Sequence, residues 1–363
     1  MLRRLKLSNF KCFEELDLEL SNLNVLAGIN SMGKSSVVQA LLLLRQSYDM
    51  GAITKGIHLN GEAVRIGTGF DLLYRNSSQD RVGIEIDSDD ASYHCDYQYE
   101  KESDFQKIHS DYTTWKTFQS INLFFSTFSY VSAERIGPKS FYEKSYHQIY
   151  EKNQVGYRGE LFADYIAERG FTDRIENRRV LHPGTDSSFL IYQMEAWMSE
   201  ISPGVHINPK KYMDAGIVGI GYNVSEYEFT PLNVGFGISY AAPVIISLLK
   251  AKSGDLVILE NPEAHLHPKG QRIMGELIAK ACSGGVQVIV ETHSDHLLNG
   301  IRLSVKNRVI NRNLVRLNYF YQTEEAMMPR HRKSSPAILE DGSLSDWPEG
   351  FFDEWDKTID ALF

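Results

Sequence analysis

An α/β fold around a largely parallel core sheet is what this sequence predicts, and three observations carry that reading. An apolar run, Leu23–Ala27, enters a glycine-bearing loop, Gly28 to Ser35, and an apolar stretch with helical spacing (Val37, Ala40, Leu41, Leu44) follows to about Ser47. From Asn233 onward, strands and helices alternate. The two apolar runs there, Asp255–Glu260 and Val286–Glu291, are continuous rather than alternating, as expected for strands covered on both faces. The expected helices between and around them are Ser239–Lys250, about Lys269–Cys282 and about Ser294–Val305. The third observation is the start of the chain, where Leu5–Phe10 and Leu16–Leu20 alternate apolar and polar positions and read as short strands.

The remainder divides by pattern. Residues 1–101 form the first part of the predicted core, with a strand-rich stretch after about residue 57 and turns at Asn60-Gly61 and Gly67-Thr68-Gly69. Residues 102–232 are less regular and read as an inserted middle region, with strands at Phe128–Ala133 and Gly216–Val224 and helices at Gly159–Arg169 and Ser187–Ile201. Residues 233–322 complete the core, and 323–363 form a tail ending in a short acidic-aromatic helix from Asp353. With 363 residues, 42% hydrophobic and 23% charged, the chain can bury a sizeable core without a disulfide or a metal.

Charge and cysteine usage narrow the function classes. The balance of 38 basic against 47 acidic side chains gives −9, against a globally basic nucleic-acid binder. Three widely spaced cysteines, Cys12, Cys95 and Cys282, exclude a zinc ribbon and argue for a reducing, cytoplasmic setting. The basic start, Met1 to Lys6, does not run into an apolar segment, and there is no run of about 18 apolar residues, so neither a secretory signal nor a membrane span is expected.

Gly28-Ile29-Asn30-Ser31-Met32-Gly33-Lys34-Ser35 fits G-x-x-x-x-G-K-[ST] in the strand–loop–helix context that the chemistry needs. Glycines let successive N–H groups of residues such as Asn30, Ser31, Met32 and Gly33 turn toward one phosphate cluster. The following helix, with Ser35 and Ser36 in its first turn, adds the positive end of its dipole. Lys34 would reach the β- and γ-phosphates, and Ser35 would ligate Mg²⁺. The implied cofactors are ATP and Mg²⁺.

A second cluster ends the apolar strand Leu256-Val257-Ile258-Leu259-Glu260, continuing as Asn261-Pro262-Glu263-Ala264-His265-Leu266-His267-Pro268. A carboxylate at this strand end suits Mg²⁺ coordination opposite a phosphate-loop serine, which assigns Glu260 as the second metal ligand. The next apolar strand ends in Glu291-Thr292-His293-Ser294.

With these residues in view, the chain resembles the ABC-type ATPase heads of the OLD, RecF and SMC group, and within it the compact bacterial predicted ATPases. Leu7-Ser8-Asn9-Phe10-Lys11 resembles the group's opening strand, Gly28–Ser35 its Walker A loop, and Asn233-Val234-Gly235-Phe236-Gly237-Ile238-Ser239 its signature motif. Glu260–Pro268 resembles Walker B with the D-loop, His293 the switch histidine, and Trp347-Pro348-Glu349-Gly350-Phe351-Phe352-Asp353 the tail of the compact subfamily. The resemblance implies a P-loop, ABC-type ATPase head with an antiparallel N-terminal subdomain, a mainly parallel core sheet and an inserted middle region, which dimerises head-to-tail, or forms a higher homo-oligomer, around ATP. Ser239 would then contact the γ-phosphate in trans, and Glu260, Asn261, Glu263 and His293 would carry the catalytic roles. It further implies a sensor or regulatory ATPase of a bacterial anti-phage complex acting with a separate effector protein, a nuclease or another toxin. The alternatives are a RecF-type DNA-repair ATPase and a non-hydrolysing scaffold or switch.

Several residues depart from that pattern. The group's usual acidic pair is Glu260-Asn261 here, and an asparagine can orient a water but cannot take its proton. Glu263 could replace it, or turnover is slow. No glutamine clearly fills a Q-loop position, Gln79 being a candidate by place alone. Ser239 equally reads as a plain N-cap serine. Only 70 residues follow His293 and none forms Asp-x-Asp, so no fused Toprim nuclease is expected. No heptad run long enough for a coiled-coil arm occurs in residues 102–235.

Other clusters have two readings each. Glu263, His265 and His267, or His293, Asp295 and His296, could be metal ligands, but the D-loop and switch positions already account for them. Glu134-Arg135 is either a buried ion pair or a nucleotide or interface contact. Arg174–Arg179, Lys306–Arg316 and Arg330–Lys333 are either solvated faces or parts of a DNA or RNA surface. The aromatic tail is either a packed cap or a docking patch.

Overall fold

The computed structural model describes residues 1–224, 226–325, 328–352 and 354–362, so Asp353 and Phe363, the expected bounds of the terminal helix, lie outside the described residues. The chain separates into two units. One comprises Met1–Phe125, Arg316–Ala337 and Asp346–Phe363, and the other Ser126–Val315 and Ile338–Ser345.

The first unit opens with β1 (Leu2–Phe10) and β2 (Phe13–Glu19), an antiparallel hairpin in register from Arg4↔Glu19 to Phe10↔Phe13. Alternation decides its faces: Leu2, Leu5, Leu7 and Phe10 are buried, whereas Arg3 and Arg4 are exposed and pair with Asp89 and Asp17. The strand β3 (Leu23–Ala27) is buried at every position, as its continuous apolar run requires. Then come α1 (Lys34–Asp49), β4 (Gly56–His58) and the one-turn α2 (Gly69–Leu72), which carries a Thr68/Asp71 capping box. Three further strands, β5 (Arg81–Ser88), β6 (Ser92–Gln98) and β7 (Phe105–Asp111), complete an antiparallel sheet of order β2-β1-β5-β6-β7-β4. Leu41, Leu42, Leu43 and Leu44 of α1 are all buried, so this helix is covered on nearly every side.

The second unit begins with β8 (Ser129–Val131), β9 (Tyr142–Glu143), α3 (Phe162–Arg169) and α4 (Leu190–Ile201). A small antiparallel sheet follows from β10 (Val205–Tyr212), β11 (Ile217–Val224) and β12 (Tyr227–Phe229), with β9 on β11. The sequence pattern indicated β11 but not β10, whose Pro209-Lys210-Lys211 reads as loop. Proline is tolerated there because β10 is an edge strand. The helix α5 (Phe236–Lys250) is apolar on all faces and buried from Ile238 to Leu249 apart from Tyr240. It starts one turn before the expected Ser239, because Gly235 takes the extended cap conformation and Gly237 is helical. The elements β13 (Leu256–Glu260), α6 (Pro268–Ser283), β14 (Gln287–Glu291) and α7 (Asp295–Lys306) then alternate as expected. Strand β13 lies parallel between β14 (Leu256↔Gln287 to Glu260↔Glu291) and β8 (Val257↔Ser129 to Leu259↔Val131).

The chain returns to the first unit with the hairpin β15 (Val315–Glu325) and β16 (Met328–Ser334), and ends in α8 (Glu354–Leu362). Sequence pattern did not indicate β16, whose Arg330-His331-Arg332-Lys333 has no apolar alternation. Its strand state comes from pairing with β15 from Tyr319↔Ser334 to Glu325↔Met328. The aromatic tail packs within this unit: Phe351 is 1% exposed, sits edge-on to Tyr319, and the Tyr319 hydroxyl donates to the Glu349 carbonyl at 3.0 Å. Among the described residues no helix is long and apolar enough to cross a membrane.

Candidate functional site

The phosphate-type loop belongs to the first unit and is built from backbone. Gly28 (φ +139°) and Gly33 (φ +99°) take conformations that other residues rarely adopt. A Cβ on Gly28 would meet the Phe320 carbonyl oxygen at 2.3 Å, and one on Gly33 would meet the Phe13 ring at 2.4 Å. Ser31 is also left-handed, at φ +66°. Gly33 is the N-cap of α1 and contributes no side-chain cap, so the positive helix end faces the loop. Lys34 is 3% exposed and its Nζ donates to the carbonyls of Gly28 (2.7 Å) and Ile29 (2.8 Å), arching over its own loop. Asn30, Ser31 and Ser35 are exposed, Met32 is half-buried, and Ser36 is buried with its Oγ 3.6 Å from Cys12 Sγ. From β16, His331 Nε2 lies 3.2 Å from the Ser31 carbonyl oxygen.

The acidic turn belongs to the second unit and is built from side chains. Glu260 ends β13, and its Oε2 accepts from the Ala133 N–H at 2.9 Å. Burial pushes its carboxyl up, opposed by that N–H, the Tyr130 hydroxyl and the Arg135 charge. Asn261 is left-handed (φ +43°), donates its N–H to the Glu291 carbonyl at 2.8 Å, and keeps a buried Oδ1 without a partner. Glu263 is 8% exposed, with Oε1 accepting from the Thr292 hydroxyl (2.8 Å) and the His293 N–H (2.9 Å), while its Oε2 is buried without a partner. Burial raises its carboxyl as well, against the pull of those donors.

Arg135 holds this turn in shape. Its guanidinium donates to the carbonyls of Ser132 (2.9 Å), Glu260 (2.7 Å) and Asn261 (2.5 Å) and lies 5.5 Å over the Tyr240 ring. Tyr240 in turn packs on His265, with ring centroids 4.4 Å apart. Burial lowers the Arg135 pKa to about 10, so it is still charged at neutral pH. Of the two readings of Glu134-Arg135, the buried ion pair does not form: Glu134 is exposed and its carboxylate lies 3.8 Å from Arg158. Three carbonyls, not a carboxylate, take the hydrogen bonds of the two terminal guanidinium nitrogens, while the buried Nε has no partner, and sequence alone does not show which carbonyls a fold presents. Thr292 is the residue that the sequence pattern does not single out, and its place between β14 and His293 is the available signal.

The remaining candidates sit as follows. His293 is exposed, with its backbone rather than its ring on Glu263. Ser239 is 1% exposed and its hydroxyl lies beside those of Tyr142 and Tyr222, while Phe236 is the exposed residue of that first helical turn. Gln79 is exposed in a turn with Ser77. His267 caps α6 by accepting from the Lys269 N–H. Among the described residues no group of three or more His, Cys, Asp or Glu is arranged around a common metal position. Mg²⁺ asks less of the protein, one or two oxygen ligands besides phosphate and water; within its own unit, the exposed Ser35 hydroxyl or the half-buried Glu260 carboxylate is a donor of that kind.

Residues 23–299 match the model of a family described as "AAA domain, putative AbiEii toxin, Type IV TA system", and residues 310–362 match that of "Protein of unknown function (DUF3696)". No protein of curated function matches the sequence. Among solved structures, the SmcHead bound to the C-winged helix domain of ScpA is similar, with TM-score 0.50, 13% identity, and 92% of this chain and 98% of that chain covered. The Smc head domain with an extended coiled coil bound to the C-terminal domain of ScpA, from Pyrococcus furiosus, has TM-score 0.49 and 12% identity, with 99% of both chains covered. At that identity the first likeness shows the fold: this chain has the α/β architecture of an SMC-type ATPase head.

Proposed function

Because this chain belongs to the AAA-domain family matched over residues 23–299, we propose that it is a Mg²⁺-dependent ATPase whose turnover drives a partner protein. The single observation that carries the ATP reading is the phosphate-type loop, with its left-handed glycines and Lys34 held over it. Lys34 leaves the Gly28 and Ile29 carbonyls to meet the β- and γ-phosphates, and the loop N–H groups take the remaining charge. Ser35 and Glu260 are the residues to hold Mg²⁺, which would neutralise phosphate charge when bound. Once the acidic turn opens to water, since both oxygens are buried, Glu263 accepts the proton of the attacking water through Oε2, Asn261 orients that water through Oδ1, and His293 responds to the γ-phosphate.

The chain pairs head-to-tail with a second copy, a reading that rests on the resemblance of Asn233–Ser239 to a signature motif. A contact from Ser239 to the partner's γ-phosphate would require the first turn of α5 to rearrange, since the hydroxyl is buried. The sensor or regulatory role in an anti-phage complex, with a separate nuclease or other toxin as effector, is supported by the toxin–antitoxin wording of the family description. Light scattering with and without Mg²⁺-ATP, with phosphate release followed on the same sample, tests the proposal. A nucleotide-dependent dimer with turnover supports it, and a chain that neither binds ATP nor releases phosphate refutes it.

Asn261 favours a second reading, in which ATP binding alone switches the assembly and turnover is negligible. Bound ATP that stays intact over many minutes in single turnover would select that reading.

A further inference from the structure

We infer that the C-terminal hairpin β15–β16 completes the phosphate loop, with His331 as the positioning residue that aims the Met32 N–H at a nucleotide phosphate. The inference rests on the ATP reading above and gives a role to part of the segment 310–362, whose family description states none.

The hairpin meets the loop directly at two points and a third time through Phe13 of β2. The Phe320 carbonyl of β15 lies where a side chain on Gly28 would be, so this strand fixes the loop's first residue. The Phe13 ring fills the space against Gly33 and packs on both Phe320 and His331, with centroids 6.1 Å from each. The His331 ring nitrogen Nε2 is 3.2 Å from the Ser31 carbonyl oxygen. A carbonyl oxygen can only accept, so Nε2 carries the hydrogen. Arg330, next in the strand, pairs with Glu14 at 3.0 Å and ties β16 to β2.

The consequence follows from the planarity of the peptide bond. In a trans peptide the C=O and N–H point to opposite sides. Holding the Ser31 carbonyl toward the hairpin therefore turns the Met32 N–H away from it, as the anion-facing side of the loop requires. Ser31 is already in a left-handed conformation that costs energy for a non-glycine residue, so an external hydrogen bond is what keeps this peptide from flipping. Lys34 cannot serve, because it holds the Gly28 and Ile29 carbonyls and must leave them when phosphate arrives. His331 holds a carbonyl on the outside of the loop and can stay in place throughout binding.

The test compares His331→Leu, which removes the donor at similar volume, with His331→Gln, which keeps an N–H donor, in the full chain. The probe is a fluorescent ATP analogue with Mg²⁺, read alongside thermal unfolding and steady-state phosphate release. The Leu variant is expected to bind about tenfold more weakly, the worth of one orienting hydrogen bond, with KM raised and kcat kept. The Gln variant is expected to stay within about threefold of the wild-type affinity. Equal binding by wild type and the Leu variant would overturn the role of His331 while leaving the ATP reading intact. Absence of binding by the wild-type chain would overturn the ATP reading itself. If the Leu variant unfolds, failure of the Gln variant to keep affinity while it melts with wild type would also overturn the inference.

Discussion

The phosphate-type loop and the acidic turn solve the same kind of problem with different materials. The loop uses backbone: two left-handed glycines, a helix start and a lysine that occupies its own carbonyls until phosphate comes. The acidic turn uses side chains drawn from distant parts of its unit, with Arg135 gripping three carbonyls and Thr292 and His293 donating to Glu263. One region leaves donors arranged for an anion. The other leaves two buried acceptors, Asn261 Oδ1 and Glu263 Oε2, without partners. Binding and bond cleavage should therefore be separable by mutation.

The largest expected effect is on the loop. Lys34→Ala removes the charge that answers the β- and γ-phosphates, and ATP affinity should fall at least about 100-fold in a calorimetric titration, on the scale of a desolvated phosphate contact. Retained affinity would mean that the loop is not the nucleotide site. Next comes the proton acceptor. Glu263→Gln should slow phosphate release about 10²–10³-fold while ATP affinity stays within a few-fold, the range for loss of a general base. A parallel fall in affinity would erase the distinction between the two regions.

Arg135→Lys is expected to be milder, because one ammonium cannot meet three carbonyls in the plane of a guanidinium. Turnover should drop about tenfold with KM unchanged, and stability by about 1–3 kcal/mol, the cost of buried acceptors left unmet. A shift in KM alone would show that Arg135 meets substrate rather than holding the turn.

The smallest effect is in pH dependence. Burial places the Glu263 carboxyl above its ordinary value of 4.5, so the folded state holds that proton more tightly than the unfolded chain. Its contribution to stability is complete below the unfolded pKa and is lost as pH rises through the folded one. The always-neutral Glu263→Gln variant should therefore melt higher than wild type at pH 7 and match it near pH 4. The opposite order at neutral pH would mean that the ionised carboxylate is stabilised in the fold.

The same contrast explains what sequence could reveal. The phosphate-type loop was legible because its geometry is set by local spacing, and Gly28, Gly33 and Lys34 play their parts within eight residues. Strands β13 and β14 were legible from continuous apolar runs. The acidic turn was legible only as residue types: Glu260, Asn261 and Glu263 stood out, but their hydrogen-bond partners come from positions 125 residues upstream and 30 downstream. The start of α5 was misplaced by a turn because its glycines read as loop. The strand β16 escaped because its order comes from cross-strand pairing with β15, which leaves no period in a run of charged residues.

The most direct test of the central claim is single-turnover release of γ-phosphate from Mg²⁺-ATP by wild type, Lys34→Ala and Glu263→Gln at matched protein concentration. The account predicts release by wild type, no bound ATP with Lys34→Ala, and bound but uncleaved ATP with Glu263→Gln. Phosphate release by Glu263→Gln at the wild-type rate would contradict it.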